Sequence, residues 1–186
     1  DKAAVGDILY SDMTTSSSII SGKTPIGVVF DPDNKKAAAL TEFSSSVLWS
    51  TTNFDIPSLP NYPYSSKNSA MTDNNGKQYT KIIYDYCTAN GKTCQAAVDI
   101  YNYSTAGTSR GTWYLGDIAT MNKLFEGMAT VNSTITRLGK TLLWECRYAT
   151  SIEASTSDYW AVDFHGFVSS FEKSRFYVCA RPIINY

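Results

Sequence analysis

Histidine is nearly absent from this chain of 186 residues: His165 is the only one. Any Ser-His-Asp or Cys-His nucleophilic site would have to be built on that single imidazole. No CxxC or HxxxH spacing occurs, and no second histidine is available to complete a zinc site. No run of Lys and Arg reaches five, and the net charge is −1, which leaves no electrostatic footprint for nucleic acid. No apolar stretch approaches the roughly 18 residues of a membrane-crossing helix, so direct membrane insertion is not expected. A charged, then apolar, then small-residue leader is missing too. Asp1 therefore reads as the start of a mature or trimmed chain that has lost a signal peptide.

The remaining catalytic patterns are also incomplete. Gly107-Thr-Ser-Arg-Gly111 is not followed by the Gly-Lys-Ser/Thr of a phosphate-binding loop. Asp117 and Glu126 are explained by helix capping and solvation more simply than as paired catalytic carboxylates. Asp31-Pro-Asp33-Asn34 offers calcium-type oxygens without the glycine and distal glutamate of an EF-hand, and reads as a surface turn. The expectation is a non-enzymatic binding domain with no catalytic residue, no metal and no cofactor.

What is present is a folding composition: 43% hydrophobic, 18% charged and 13% aromatic. One α+β domain over residues 1–186 is expected, without repeats or a linker. Short strands are expected at 5–10 and 26–30, the second launched by Pro25 and ended by Asp31-Pro32. Residues 37–43 suit strand or helix by propensity, and their place after a turn favours a hairpin with 26–30. Residues 44–75 form a long irregular stretch, held down by Trp49, Phe54, Tyr62 and Tyr64. Tyr79, Ile82, Ile83 and Tyr86 mark an amphipathic helix, 95–103 a second, and 118–125 a third with Asp117 as its N-cap. A shorter helix over 133–138 stops at Gly139. Strands at 159–168, 168–172 and 176–183 then make an antiparallel meander.

The cysteines are four: Cys87, Cys94, Cys146 and Cys179. Cys87 and Cys94 flank a turn-prone hexapeptide and suit either a small bridged loop or buried reduced thiols. Cys146 suits a bridge to Cys179 if their strands pair, or a thiol at a variable surface position.

Tyr103-Ser-Thr-Ala-Gly107 and Thr112-Trp-Tyr-Leu-Gly-Asp-Ile118 resemble one region of a bacterial surface-domain family. That family includes the C-terminal domain of the Legionella collagen-like adhesin. Its later pattern is echoed by Trp144-Glu145, Tyr159-Trp-Ala-Val-Asp-Phe164, Gly166-Phe-Val168 and Val178-Cys-Ala-Arg-Pro-Ile183. Gly6-Asp-Ile-Leu-Tyr10 and Pro25-Ile-Gly-Val-Val-Phe30 also fit versions of it. The resemblance implies a C-type-lectin-like fold, two main helices packed on a twisted antiparallel sheet. The same fold carries the variable proteins of diversity-generating retroelements, which implies a display domain on a phage or bacterial surface. The alternative is an invariant adhesin or pilus-tip domain binding glycan or matrix polymer. Either would be extracellular or surface-exposed and meet a protein or glycan ligand on a cell surface. The family's Trp-Ser-Ser-Thr-Glu is replaced here by Trp144-Glu-Cys-Arg-Tyr-Ala-Thr150, where a variable surface would sit. The Glu-Pro-Asn, Gln-Pro-Asp and Trp-Asn-Asp signatures of calcium-dependent sugar binding are absent.

The ligand surface is expected within 144–183. Ten aromatics and one lysine fall between Trp144 and Tyr186. There is one Asn from Trp144 onward against ten before it, as adenine-directed rewriting of Asn codons would leave. Trp144, Glu145, Trp160, Glu172 and Lys173 cannot arise that way and read as fixed framework. Strand alternation points Trp160, Val162 and Phe164 inward, and Tyr159 and His165 outward. With Phe167 they would join Arg147, Tyr148 and Ser151 from the preceding segment, and Phe171, Arg175 and Phe176 from the second hairpin. Exposed Tyr, Phe and Arg are the residues protein-binding surfaces favour.

Overall fold

The computed structural model describes residues 2–186. The chain opens with β1 (Ile8–Tyr10), β2 (Thr15–Ser16), β3 (Pro25–Asp31) and β4 (Lys36–Ala39). β3 and β4 form the expected hairpin, with Val28 opposite Ala38. Its turn is closed by Asp31, whose carboxylate accepts the Asn34 backbone N–H at 3.2 Å and the side-chain amide at 2.8 Å. Residues 40–63 contain no regular element. They are anchored by Trp49, Phe54, Ile56 and Leu59, all buried, whereas Tyr64 is 68% exposed and only rests its ring on Trp160 at 6.0 Å.

A 3₁₀ turn (Tyr64–Ser66) leads into α1 (Lys67–Thr72), α2 (Gly76–Ala89) and α3 (Gln95–Asn102). The Cys87–Cys94 disulfide closes the loop between α2 and α3. After β5 (Tyr114–Leu115), α4 (Ile118–Glu126) starts at Asp117, whose carboxylate accepts the Thr120 N–H at 2.8 Å. α5 (Met128–Leu138) runs one turn and more before the residues expected to begin it, and ends where Gly139 takes a left-handed φ of +66°. β6 (Arg147–Glu153), β7 (Asp158–Asp163), β8 (Val168–Glu172) and β9 (Pro182–Asn185) complete the chain.

The architecture is α+β, with antiparallel sheets and five α-helices. Six strands are ordered β2-β1-β3-β4-β9-β5, and three are ordered β6-β7-β8. α2 and α4 pack on β6, and α5 packs on β3. One continuous set of buried apolar side chains joins both sheets to the helices.

Three strand expectations are corrected. β6 was not foreseen as a strand, and it takes the edge of the small meander. β7 ends at Asp163 rather than reaching 168. Its carboxylate there accepts the N–H groups of His165 at 2.9 Å and Phe167 at 3.0 Å, turning the chain. Residues 176–183 do not join the meander. They cross between sheets, bridging Tyr148 through Cys179 and Phe43 through Ala180, and only then enter β9 in the large sheet.

Candidate functional site

The three-stranded sheet decides which aromatic side chains meet solvent. Residues opposite one another across antiparallel strands point to the same side. Tyr148, Val162 and Val168 therefore share the inner face, which α4 covers. Arg147, Asp163, Ala149, Ala161, Ser169, Tyr159 and Phe171 share the other.

Three expected surface residues are buried. Tyr148 is 0% exposed, packs on Phe125, accepts the Trp144 N–H and donates to Glu42 at 2.9 Å. Ser151 is also 0% exposed, on backbone that binds the Gly116 carbonyl. Tyr159 does lie on the outer face, yet it too is 0% exposed, because Trp49 stacks on it at 5.8 Å. Alternation assigns a side to each residue; it does not reveal that a loop distant in sequence covers half of that side.

That cover is fastened by Lys173. Its ammonium is fully enclosed, donating to the Phe54 carbonyl at 2.7 Å, Glu153 Oε2 at 2.8 Å and the Thr156 carbonyl at 3.0 Å, with the Trp49 ring 4.8 Å away. Burial pushes the Glu153 carboxyl up to about 7, partly offset by Lys173, and pushes the ammonium down, partly offset by Glu153. A second enclosed pair, Arg181–Glu42 at 2.8 Å, ties the crossing segment to residues 39–42, with Arg181 also donating to the Ala39 carbonyl at 2.9 Å.

The half of the outer face nearest the β7–β8 turn stays open. Its floor is made of small residues in register, Ala161 opposite Ser169, so a groove of about 310 Å³ forms there. Arg147, Asp163, Phe167 and Phe171 wall it. The Arg147 guanidinium lies 3.7 Å from the Phe171 ring centre and 5.4 Å from that of Phe176. Arg175 approaches Phe176 at 5.1 Å. Phe167 is 69% exposed and Phe176 42%. His165 is exposed at the hairpin tip, its ring against Phe164 and 6.0 Å from Phe167. Of the nine residues expected at a ligand surface, Arg147, Phe167 and Phe171 line this groove, Phe176 packs on Arg147, and Arg175 and His165 stand beside these rings.

Trp144 and Tyr177, each 65% exposed, extend the aromatic surface. By sequence Trp144 reads only as fixed framework, and Tyr177 is not singled out. Both lie two residues from a partner of the Cys146–Cys179 disulfide, and Cys146 itself lines the groove. The sequence signal available was proximity to those cysteines.

A larger groove, about 540 Å³, runs along α2 beside Lys81, Tyr101 and Trp113. Of its lining charges Lys81 pairs with Asp85, while Lys77 makes no salt bridge among the described residues; nearby, Arg110 stacks on Tyr84 and donates to its hydroxyl. The nearest approach to a metal-ligand cluster among the described residues is Glu42, Cys146 and Cys179. Its two sulfurs are bonded to each other, and Glu42 is held by Arg181 and Tyr148.

No family model matches the sequence, and no curated protein matches it. Among solved structures, a fimbrial protein from Bacteroides ovatus superposes with a TM-score of 0.76 over 99% of this chain at 12% identity. This chain spans about half of that protein, 49% of its length. At such identity the likeness is one of fold: the chain is similar in architecture to half of a fimbrial protein.

Proposed function

We propose that this chain is a non-enzymatic adhesion domain of a surface appendage, holding a glycan or matrix polymer on the open half of the β6-β7-β8 sheet. The observation that carries this reading is the Arg147 guanidinium stacked among Phe171 and Phe176 beside exposed Phe167. Apolar rings of that size left in solvent around a cation are a costly surface unless a partner covers them. The fimbrial fold likeness supports the adhesive role, and two disulfides suit an oxidising, extracytoplasmic location.

Membership among C-type-lectin-like surface domains is part of the same proposal. The motifs that suggested it are neighbours in space: Tyr114-Leu115 pairs with Pro182-Ile183, and Ile8-Leu9 pairs with Gly27-Val28. They form framework, and most lie away from the groove, so they speak for fold and not for ligand. The invariant adhesin is the better supported reading. Trp144 and Glu145, beyond the reach of adenine-directed change, are both exposed, and Glu145 lines the groove that a diversified protein would vary.

The test is capture of the purified chain on immobilised mucin, collagen and plant polysaccharide. A variant combining Arg147→Ala, Phe167→Ala and Phe176→Ala is expected to keep its melting temperature within a few degrees and lose at least 10-fold in capture. Unchanged capture by a folded variant would sink the reading.

A further inference from the structure

We infer that the groove at Arg147 takes the carboxylate of an acidic sugar, a uronic-acid residue within a polysaccharide. This rests on the adhesion reading above and names its ligand. Arg147 makes no salt bridge and no side-chain hydrogen bond among the described residues, and its Nη1 is enclosed without a partner. The Tyr159 hydroxyl, on the same sheet face, is likewise enclosed and unpartnered. A guanidinium seated 3.7 Å from the Phe171 ring centre is fixed in place, and its planar fork of donors is the geometry that matches a planar carboxylate.

The rest of the groove favours a sugar over an acidic peptide. Asp163 uses Oδ1 for the turn and leaves Oδ2 without a hydrogen-bond partner among the described residues. Ser169 adds a hydroxyl on the floor, and Glu145 a further carboxylate at the edge. A uronic acid brings a single charge for Arg147 and several hydroxyls for those acceptors, while its C–H face rests on Phe167. A run of acidic residues would bring further charges against Asp163 and Glu145. A groove of about 310 Å³ suits a single sugar unit with its neighbours lying across exposed rings.

The experiment compares a neutral oligosaccharide bearing one glucuronate residue with its methyl ester, which keeps the shape and loses the charge, by titration calorimetry on the intact chain. Dextran sulfate and poly-glutamate serve as charge-only probes. The acid form is expected to bind roughly 10- to 100-fold more tightly than the ester, the range of a charge-assisted hydrogen-bonded pair. Arg147→Lys, which keeps the charge without the fork, is expected to erase most of that difference with folding intact. Equal binding of acid and ester, an unaffected Arg147→Lys variant, or equally tight binding of either charge-only probe would overturn the proposal. If no uronate binds while polymer capture still depends on Phe167 and Phe176, the acidic-sugar assignment fails and the adhesion reading stands. Loss of both would remove both.

Discussion

At the scale of single residues, Lys173 shows how an ion that is costly to bury organises a surface. It ties residues 54 and 156 to Glu153, and so holds Trp49 over Tyr159. Lys173→Met leaves Glu153 enclosed without its cation, a cost of about 3–5 kcal/mol near pH 8. The sign with pH follows from the raised carboxyl. A glutamate whose folded pKa lies above its unfolded value of 4.5 favours the folded state at low pH, and that contribution is lost as pH rises through the folded value. Urea melts of this variant are therefore expected to show a clearly smaller deficit at pH 5 than at pH 8. Asp73 behaves oppositely. Burial would raise its pKa, but hydrogen bonds from Tyr79 at 2.6 Å, Tyr62 at 2.7 Å and Asn75 outweigh it and hold it below 3.8. Its contribution is present above that value and lost as pH falls through the folded pKa. Asp73→Asn is expected to cost about 1–2 kcal/mol at neutral pH and to flatten the acid limb of the stability curve.

Among the elements, α4 was the most legible. Ile118, Met121, Leu124 and Phe125 repeat at helical spacing, all buried, and Asp117 does the capping expected of it. The same carboxylate also accepts the Gly76 N–H at 3.1 Å, at the start of α2. A side chain added at Gly76 would meet the Asp117 backbone nitrogen at 2.6 Å, so this approach requires glycine. Asp117→Ala is expected to cost about 1–2 kcal/mol and lower the thermal midpoint, since a cap and an interhelix bond go together. β6 was the least legible element. Arg147–Glu153 mixes small and polar residues because its two faces meet different cover, α4 on one side and, around Tyr159, the 44–63 loop on the other. The disulfide at its entrance joins cysteines 33 residues apart, a loop whose closure is worth about 3–4 kcal/mol. The Cys146→Ala, Cys179→Ala pair is expected to lose about that much in denaturant titration. It should also weaken ligand capture, because Arg147 follows Cys146 directly.

For the molecule as a whole, the expected patch divides by cost. Arg147→Ala and Phe167→Ala act at a solvent-facing groove and are expected within about 0.5–1 kcal/mol of the parent in stability. Tyr148→Ala and Tyr159→Ala empty enclosed space and are expected to cost about 3–5 kcal/mol by calorimetry. Both Phe167 and Tyr159 are aromatic strand or turn residues of the same meander; only the cover from residues 44–63 separates their roles.

Local chemistry settled what depends on neighbours in the chain: helical periodicity, the cap at Asp117, the β3–β4 turn and the stop at Gly139. Those features arise from contacts a few residues apart, so their residue types are visible in a single pass. Which aromatics are free to bind was decided by tertiary structure alone. Trp49 and Tyr159 are 110 positions apart, and nothing in either local pattern records the meeting. The open groove exists because Ala161 and Ser169 fall opposite each other while a distant loop stops short of them. Arg147 lines that groove for the same reason.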